Sequence, residues 1–129
     1  MATSTPTTPS ATRGIILLAH GSRDPQWREP IEAVAAQIRA LAPGTPVLCA
    51  YLELCTPSLP DAATDLIAEG ADSIRVFPLF FGVGKHARED LPRLVEQLRG
   101  SHPGVAVELL PSAGEHQALT ALMAGIALA

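Results

Sequence analysis

A run of aliphatic residues, Gly14-Ile-Ile-Leu-Leu-Ala19, stops abruptly at His20-Gly-Ser-Arg-Asp24. A short, uninterrupted apolar run suits a strand buried on both faces, as in a parallel sheet with helices above and below. The polar residues that follow then fall at the carboxyl end of a strand, where open α/β sheets keep their ligand sites. A histidine placed there can serve as a base, a metal ligand or a structural hydrogen-bonding group. The rest of the chain has to decide among these.

Three further apolar runs, Pro46 to Leu52, Ser73 to Phe77 and Val105 to Leu110, read as strands. Between them the apolar period changes to that of helices. Trp27, Ile31, Val34, Ile38 and Leu41 recur at spacings of four and three, as do Leu91, Leu94, Val95 and Leu98. Leu59, Ala63, Leu66 and Ile67 give a helix after Thr56-Pro57-Ser58, and Gly70 fits the position just past its end. Leu119, Leu122, Met123 and Ile126 give a last helix, led into by Pro111 to Gly114. Pro30 is awkward inside the first helix, so either its first turn is irregular or the regular helix begins near Glu29. Gly100 reads as the stop of the third helix. The alternation β-α-β-α-β-α-β-α predicts a three-layer α/β/α fold around a four-stranded parallel sheet. Four strands are few for such a sheet, and an edge could be covered by a second copy of the chain.

At 129 residues, 47% hydrophobic and 17% charged, the chain is expected to form one compact domain over residues 13–129. Residues 1–12, rich in Ser, Thr and Pro, read as a disordered tail without the basic start and apolar stretch of a signal peptide. The aliphatic run from Ile15 to Ala19 falls far short of the about 20 residues that span a bilayer. No membrane partner is expected, and a soluble, cytoplasmic protein is. The net charge of −4 argues against a nucleic-acid partner, which needs clustered Lys and Arg. An anionic small molecule needs only a few local cations. Cys49 and Cys55 form no CxxC pair and read as reduced, structural thiols.

Three chemistry-bearing residues stand at equivalent places. His20 ends the first strand, Glu53 ends the second, and His86 follows the third after the apolar loop Pro78 to Gly84. Evenly spaced by one βα unit, they should emerge at the same rim of the sheet. Two imidazoles and a carboxylate form a mixed nitrogen and oxygen set suited to divalent iron, cobalt, nickel or zinc. Ser22, Arg23, Lys85 and Arg88 lie beside the predicted starts of two helices, where free N–H groups favour carboxylates or phosphates. No P-loop or G-x-G-x-x-G occurs, so a bound nucleotide is not expected.

The segments Leu17-Leu-Ala-His-Gly-Ser-Arg-Asp24, Tyr51-Leu-Glu53 and Phe77 to Pro92, the last containing Gly84-Lys-His-Ala-Arg-Glu-Asp-Leu-Pro, resemble the short, CbiX-type sirohydrochlorin chelatases. The likeness runs from about Gly14 to the end of the chain. It implies ATP-independent insertion of Co²⁺ or Fe²⁺, or Ni²⁺ in some members, into sirohydrochlorin for cobalamin or sirohaem synthesis. The metal is then a substrate, and no organic cofactor is involved. The resemblance further implies one lobe of the larger two-lobed chelatases, paired as a homodimer. The family histidines fall on His20 and His86, which would hold the metal and accept a pyrrole proton. The acidic ligand falls on Glu53. Leu79, Phe80, Phe81 and Val83 could wall the flat macrocycle, and Arg23, Lys85 and Arg88 could hold its carboxylates, with Ser22 beside them. Among rivals, a histidine phosphatase needs an Arg immediately before its histidine, and this chain has Ala19. A non-catalytic metal or tetrapyrrole carrier would use the same ligands, and a regulatory half-domain would have no need of all three.

Overall fold

The computed structural model describes residues 12–129; the tail expected over residues 1–12 falls, apart from Thr12, outside them. Four strands, β1 (Arg13–Ala19), β2 (Val47–Tyr51), β3 (Ser73–Pro78) and β4 (Ala106–Leu109), form one sheet in the order β2-β1-β3-β4. Every pairing is parallel. Between and after them lie α1 (Glu29–Leu41), α2 (Leu59–Ala68), α3 (Lys85–Ser101) and α4 (Gln117–Leu128). Short 3-10 turns at Pro25–Arg28 and Ala113–Glu115 precede α1 and α4.

The central position of β1 explains its composition. Ile16, Leu17 and Leu18 are each fully buried, because helices cover both of its faces. Alternate side chains divide between two cores. Ile16, Leu18, Ala50, Ile74, Val76 and Val107 pack with α2 and α3. Leu17, Ala19, Val47, Cys49 and Tyr51 pack with α1. Pairing of Leu17 with Cys49 and Phe77, and of Leu18 with Ala50 and Pro78, keeps this division in register across the sheet.

Local chemistry sets the helix ends. The chain passes Pro30 by making Pro25–Arg28 a 3-10 turn, capped by the Asp24 side chain, and starting the α-helix at Glu29. Pro30 thus sits in the first helical turn, where no intrahelical N–H is needed. Gly70 adopts φ +105° just after the last turn of α2, as its composition led one to expect. Gly100 does not stop α3, which continues to Ser101. The stop comes from His102 and Pro103: a residue before proline is pushed out of the helical region, and His102 leaves it at φ −133°.

Candidate active site

The carboxyl rim of the sheet is tied together by backbone hydrogen bonds that run past the strand ends. Leu52 N–H donates to Ala19 O at 3.0 Å and Glu53 N–H donates to His20 O at 3.0 Å. Leu79 N–H donates to Leu18 O at 2.7 Å. These bonds extend the β1–β2 and β1–β3 pairings by one step and hold His20 beside Glu53. Gly21 makes the approach possible. It adopts φ +107°, and a Cβ there would lie 1.7 Å from the carbonyl oxygen of Glu53. Leu54, the residue after Glu53, is a non-glycine at φ 69°, a conformation that costs energy and concentrates at functional sites.

His20 is exposed, and its ring stacks on Phe80 with centroids 4.4 Å apart and planes at 27°. Phe80 itself is buried, and its carbonyl accepts the Gly114 N–H at 2.9 Å. The apolar loop after β3 therefore turns inward at Phe80 to support the histidine, while Phe81 next to it is exposed. Gly84 precedes α3, so Lys85 and His86 occupy its first two positions.

His20, Glu53 and His86 line one cavity of about 480 Å³, together with Leu52, Leu91, Leu94, Asp90, Arg93 and Gln97. That size is ordinary for a small-molecule site. Among the described residues, no three His, Cys, Asp or Glu side chains stand close enough to form a ready metal-holding group. The three share a chamber without converging on a point. A second cavity, of about 540 Å³, lies across Leu91 and is lined by Phe81, Val83, Arg88, Ser112 and Glu115 among others. Ser22, Arg23, Leu79, Phe80 and Lys85 line neither. Ser22 Oγ accepts the Asp24 N–H at 3.1 Å, which shapes the loop before α1. Leu79 packs against the core on the α1 side, and Arg23 and Lys85 are exposed.

Asp90, Arg93 and Gln97 were not among the residues singled out from the sequence. Their signal was present: with His86 they follow the spacing four, three, four, which places them on one face of α3. Arg93 pairs with Asp90 at 3.6 Å on that face, with both side chains well exposed. The cavity thus contains a cation that the motif reading passed over.

An open parallel α/β domain with its polar chamber at the carboxyl rim is the class that this fold and site define. Residues 14–125 match the CbiX family model, and the chain belongs to that family. The sirohydrochlorin cobaltochelatase of Saccharolobus solfataricus is 38% identical over 82 residues, which cover 64% of this chain and 62% of that protein. The match therefore spans less than two thirds of that relative's length. Among solved structures, a CbiX protein from Marinobacter aquaeolei, whose name assigns it to cobalamin (vitamin B12) biosynthesis, superposes with a TM-score of 0.79 at 33% identity, covering 90% of this chain and 94% of that one. The sirohydrochlorin chelatase SirB of Bacillus subtilis, in complex with cobalt, shares the fold at a TM-score of 0.67 and 22% identity, over 76% of this chain and 42% of its own.

Proposed function

We propose that this protein is a sirohydrochlorin chelatase, a lyase-class enzyme that inserts a divalent metal into sirohydrochlorin without ATP. The observation that carries the reading is the chamber shared by His20, Glu53 and His86. The names of the relatives support the substrate, and they make cobalt the first metal to test, with iron and nickel behind it.

The chemistry follows from the side chains. Insertion exchanges two pyrrole protons for one divalent ion, so the site must present a metal and receive protons. A neutral imidazole does either, and its ordinary titration range lies nearest neutrality. His20 and His86 hold the incoming metal, with Glu53 as an oxygen ligand; as the metal passes to the macrocycle, the nitrogen it vacates on one histidine accepts one of the two pyrrole protons and water takes the other. Three donors lining a chamber without forming a closed cage suit a metal that has to leave. A preassembled tetrahedral set would retain it.

The macrocycle is apolar on its faces and anionic at its edge. Phe80 supports it through the ring of His20 stacked on it. Phe81 and Val83 offer apolar surface from the cavity across Leu91, while Leu79, packed in the core on the α1 side, takes no part. Arg93, on the face of α3 inside the chamber, holds its carboxylates, and Arg88 meets them from the cavity across Leu91. Arg23 and Lys85, exposed outside both cavities, serve only its approach. No organic cofactor is required. The protein acts as a homodimer in the cytoplasm, in a cobalamin or sirohaem pathway.

The test is the absorbance of sirohydrochlorin during incubation with Co²⁺ and substoichiometric protein. Multiple turnovers are expected, and His86→Ala should slow them by about a hundredfold or more while leaving the circular dichroism unchanged. A spectral change that saturates at one equivalent of protein would identify a carrier instead.

A further inference from the structure

The chamber at the carboxyl rim is longer than its metal donors require. His86, Asp90, Arg93 and Gln97 all line it, at spacings of four, three and four, so it runs along one stripe of α3. From His86 to Gln97 the helix advances by eleven residues, about 16 Å. His20, Glu53 and His86 gather at the rim end, where β1 and β2 have stopped and α3 begins.

Past that end the lining changes in kind. Leu91 and Leu94 supply apolar surface, and Arg93 is the only Lys or Arg among the described residues that line the chamber. Asp90 pairs with it at 3.6 Å, and the two side chains are 58% and 70% exposed. An ion pair so open to water is weak and exchanges readily for another. Its effect is on direction. Helical side chains lean back over the preceding turn, toward the helix N-terminus. Asp90, three residues before Arg93, keeps the guanidinium on that side, toward the rim.

Gln97 stands one turn beyond Arg93 on the same stripe, and the same lean brings its amide toward the guanidinium. A guanidinium with an amide donor behind it and leucines beside it suits a carboxylate carried on an apolar body. A metal ion gains nothing there, since an arginine keeps its charge and repels a cation.

We propose that Arg93 and Gln97 form a subsite for one carboxylate arm of the macrocycle, and that this arm sets where the ring rests beside His20 and His86. The inference rests on the chelatase reading above and deepens it. A flat ring with apolar faces slides freely over Leu52, Leu91 and Leu94, and one anchored arm stops it. Asp90 is a positioning residue, which holds the guanidinium ready until the carboxylate takes its place. Arg88 lies in the cavity across Leu91 and meets a different part of the macrocycle's edge.

The test is sirohydrochlorin binding to the full chain without metal, measured by equilibrium dialysis. Arg93→Ala should raise the Kd about tenfold or more, and Gln97→Ala by a smaller factor. Arg93→Lys should recover part of the loss, because an ammonium keeps the charge without the planar fork. Co²⁺ binding to the protein alone should be the same in all three variants as in wild type. With the macrocycle's carboxylates converted to methyl esters, wild type and Arg93→Ala should bind alike, which a damaged fold would not produce. Equal Kd values for wild type and Arg93→Ala on the free acid would overturn the inference. So would a loss that persists undiminished on the ester, or one that falls on Co²⁺ binding. A wild type that neither binds nor metallates sirohydrochlorin would remove the chelatase reading as well.

Discussion

Gly21 links the two ends of strands on which the site depends. Its φ of +107° disfavours any side chain, and a Cβ would meet the Glu53 carbonyl at 1.7 Å. Gly21→Ala is therefore expected to lose about 2 kcal/mol or more in urea unfolding, and to separate His20 from Glu53. Phe80 does a different task at the same scale. Phe80→Leu keeps an apolar side chain in the core and removes the ring under His20, leaving a small void, so stability should fall by about 1–2 kcal/mol. Metal insertion should fall by a larger factor than that loss predicts. Equal effects on folding and turnover would make Phe80 a packing residue only. His20, Glu53 and His86 were readable from their places after successive strands. The stack of Phe80 on His20 was not, since it depends on how the loop after β3 turns inward.

The helix starts follow local rules closely. Ser58 caps α2 by accepting the Asp61 N–H on its Oγ at 3.3 Å, and Pro60 follows in the first turn. Ser58→Ala should cost about 1 kcal/mol, read as a lower urea midpoint at unchanged slope. The starts of α1 and α2 could be read because prolines and capping side chains act over a few residues. The end of α3 was misplaced at Gly100. Glycine is permitted at a helix end and also inside a helix, at a cost of about 1 kcal/mol, and the following His102-Pro103 decided the matter. The face of α3 that carries His86, Asp90, Arg93 and Gln97 follows helical spacing. It gained meaning only once the cavity beneath it was seen.

In the molecule as a whole, the core on the α1 side contains two groups that make stability depend on pH. Burial, and then the Glu32 carboxylate, push the Cys49 thiol up from 9.0 to about 12. Burial also raises the phenol of Tyr51, with Cys49 and Glu32 adding to it. Both groups ionise more readily in the unfolded chain. Their contribution is therefore complete below pH 9.0, and declines as the pH rises toward about 12. Thermal midpoints measured across that range should decline, and Cys49→Ala should flatten the slope. An unchanged slope in that variant would remove Cys49 as its source. The same burial makes Cys49 a poor nucleophile and metal ligand, in keeping with its structural reading.

By itself the sequence determined the alternating elements, the parallel sheet and the three residues set at its rim. Apolar period, capping residues and βα spacing are short-range properties, legible in a single chain. The tertiary structure decided which of the polar residues share a chamber, because that depends on loop paths and helix faces set by distant contacts. It placed Arg93 with His20, Glu53 and His86, and sent Arg88 to the cavity across Leu91. It also left α4 uncovered, which no local signal could show: an apolar period marks a face to be buried, and says nothing of which chain buries it.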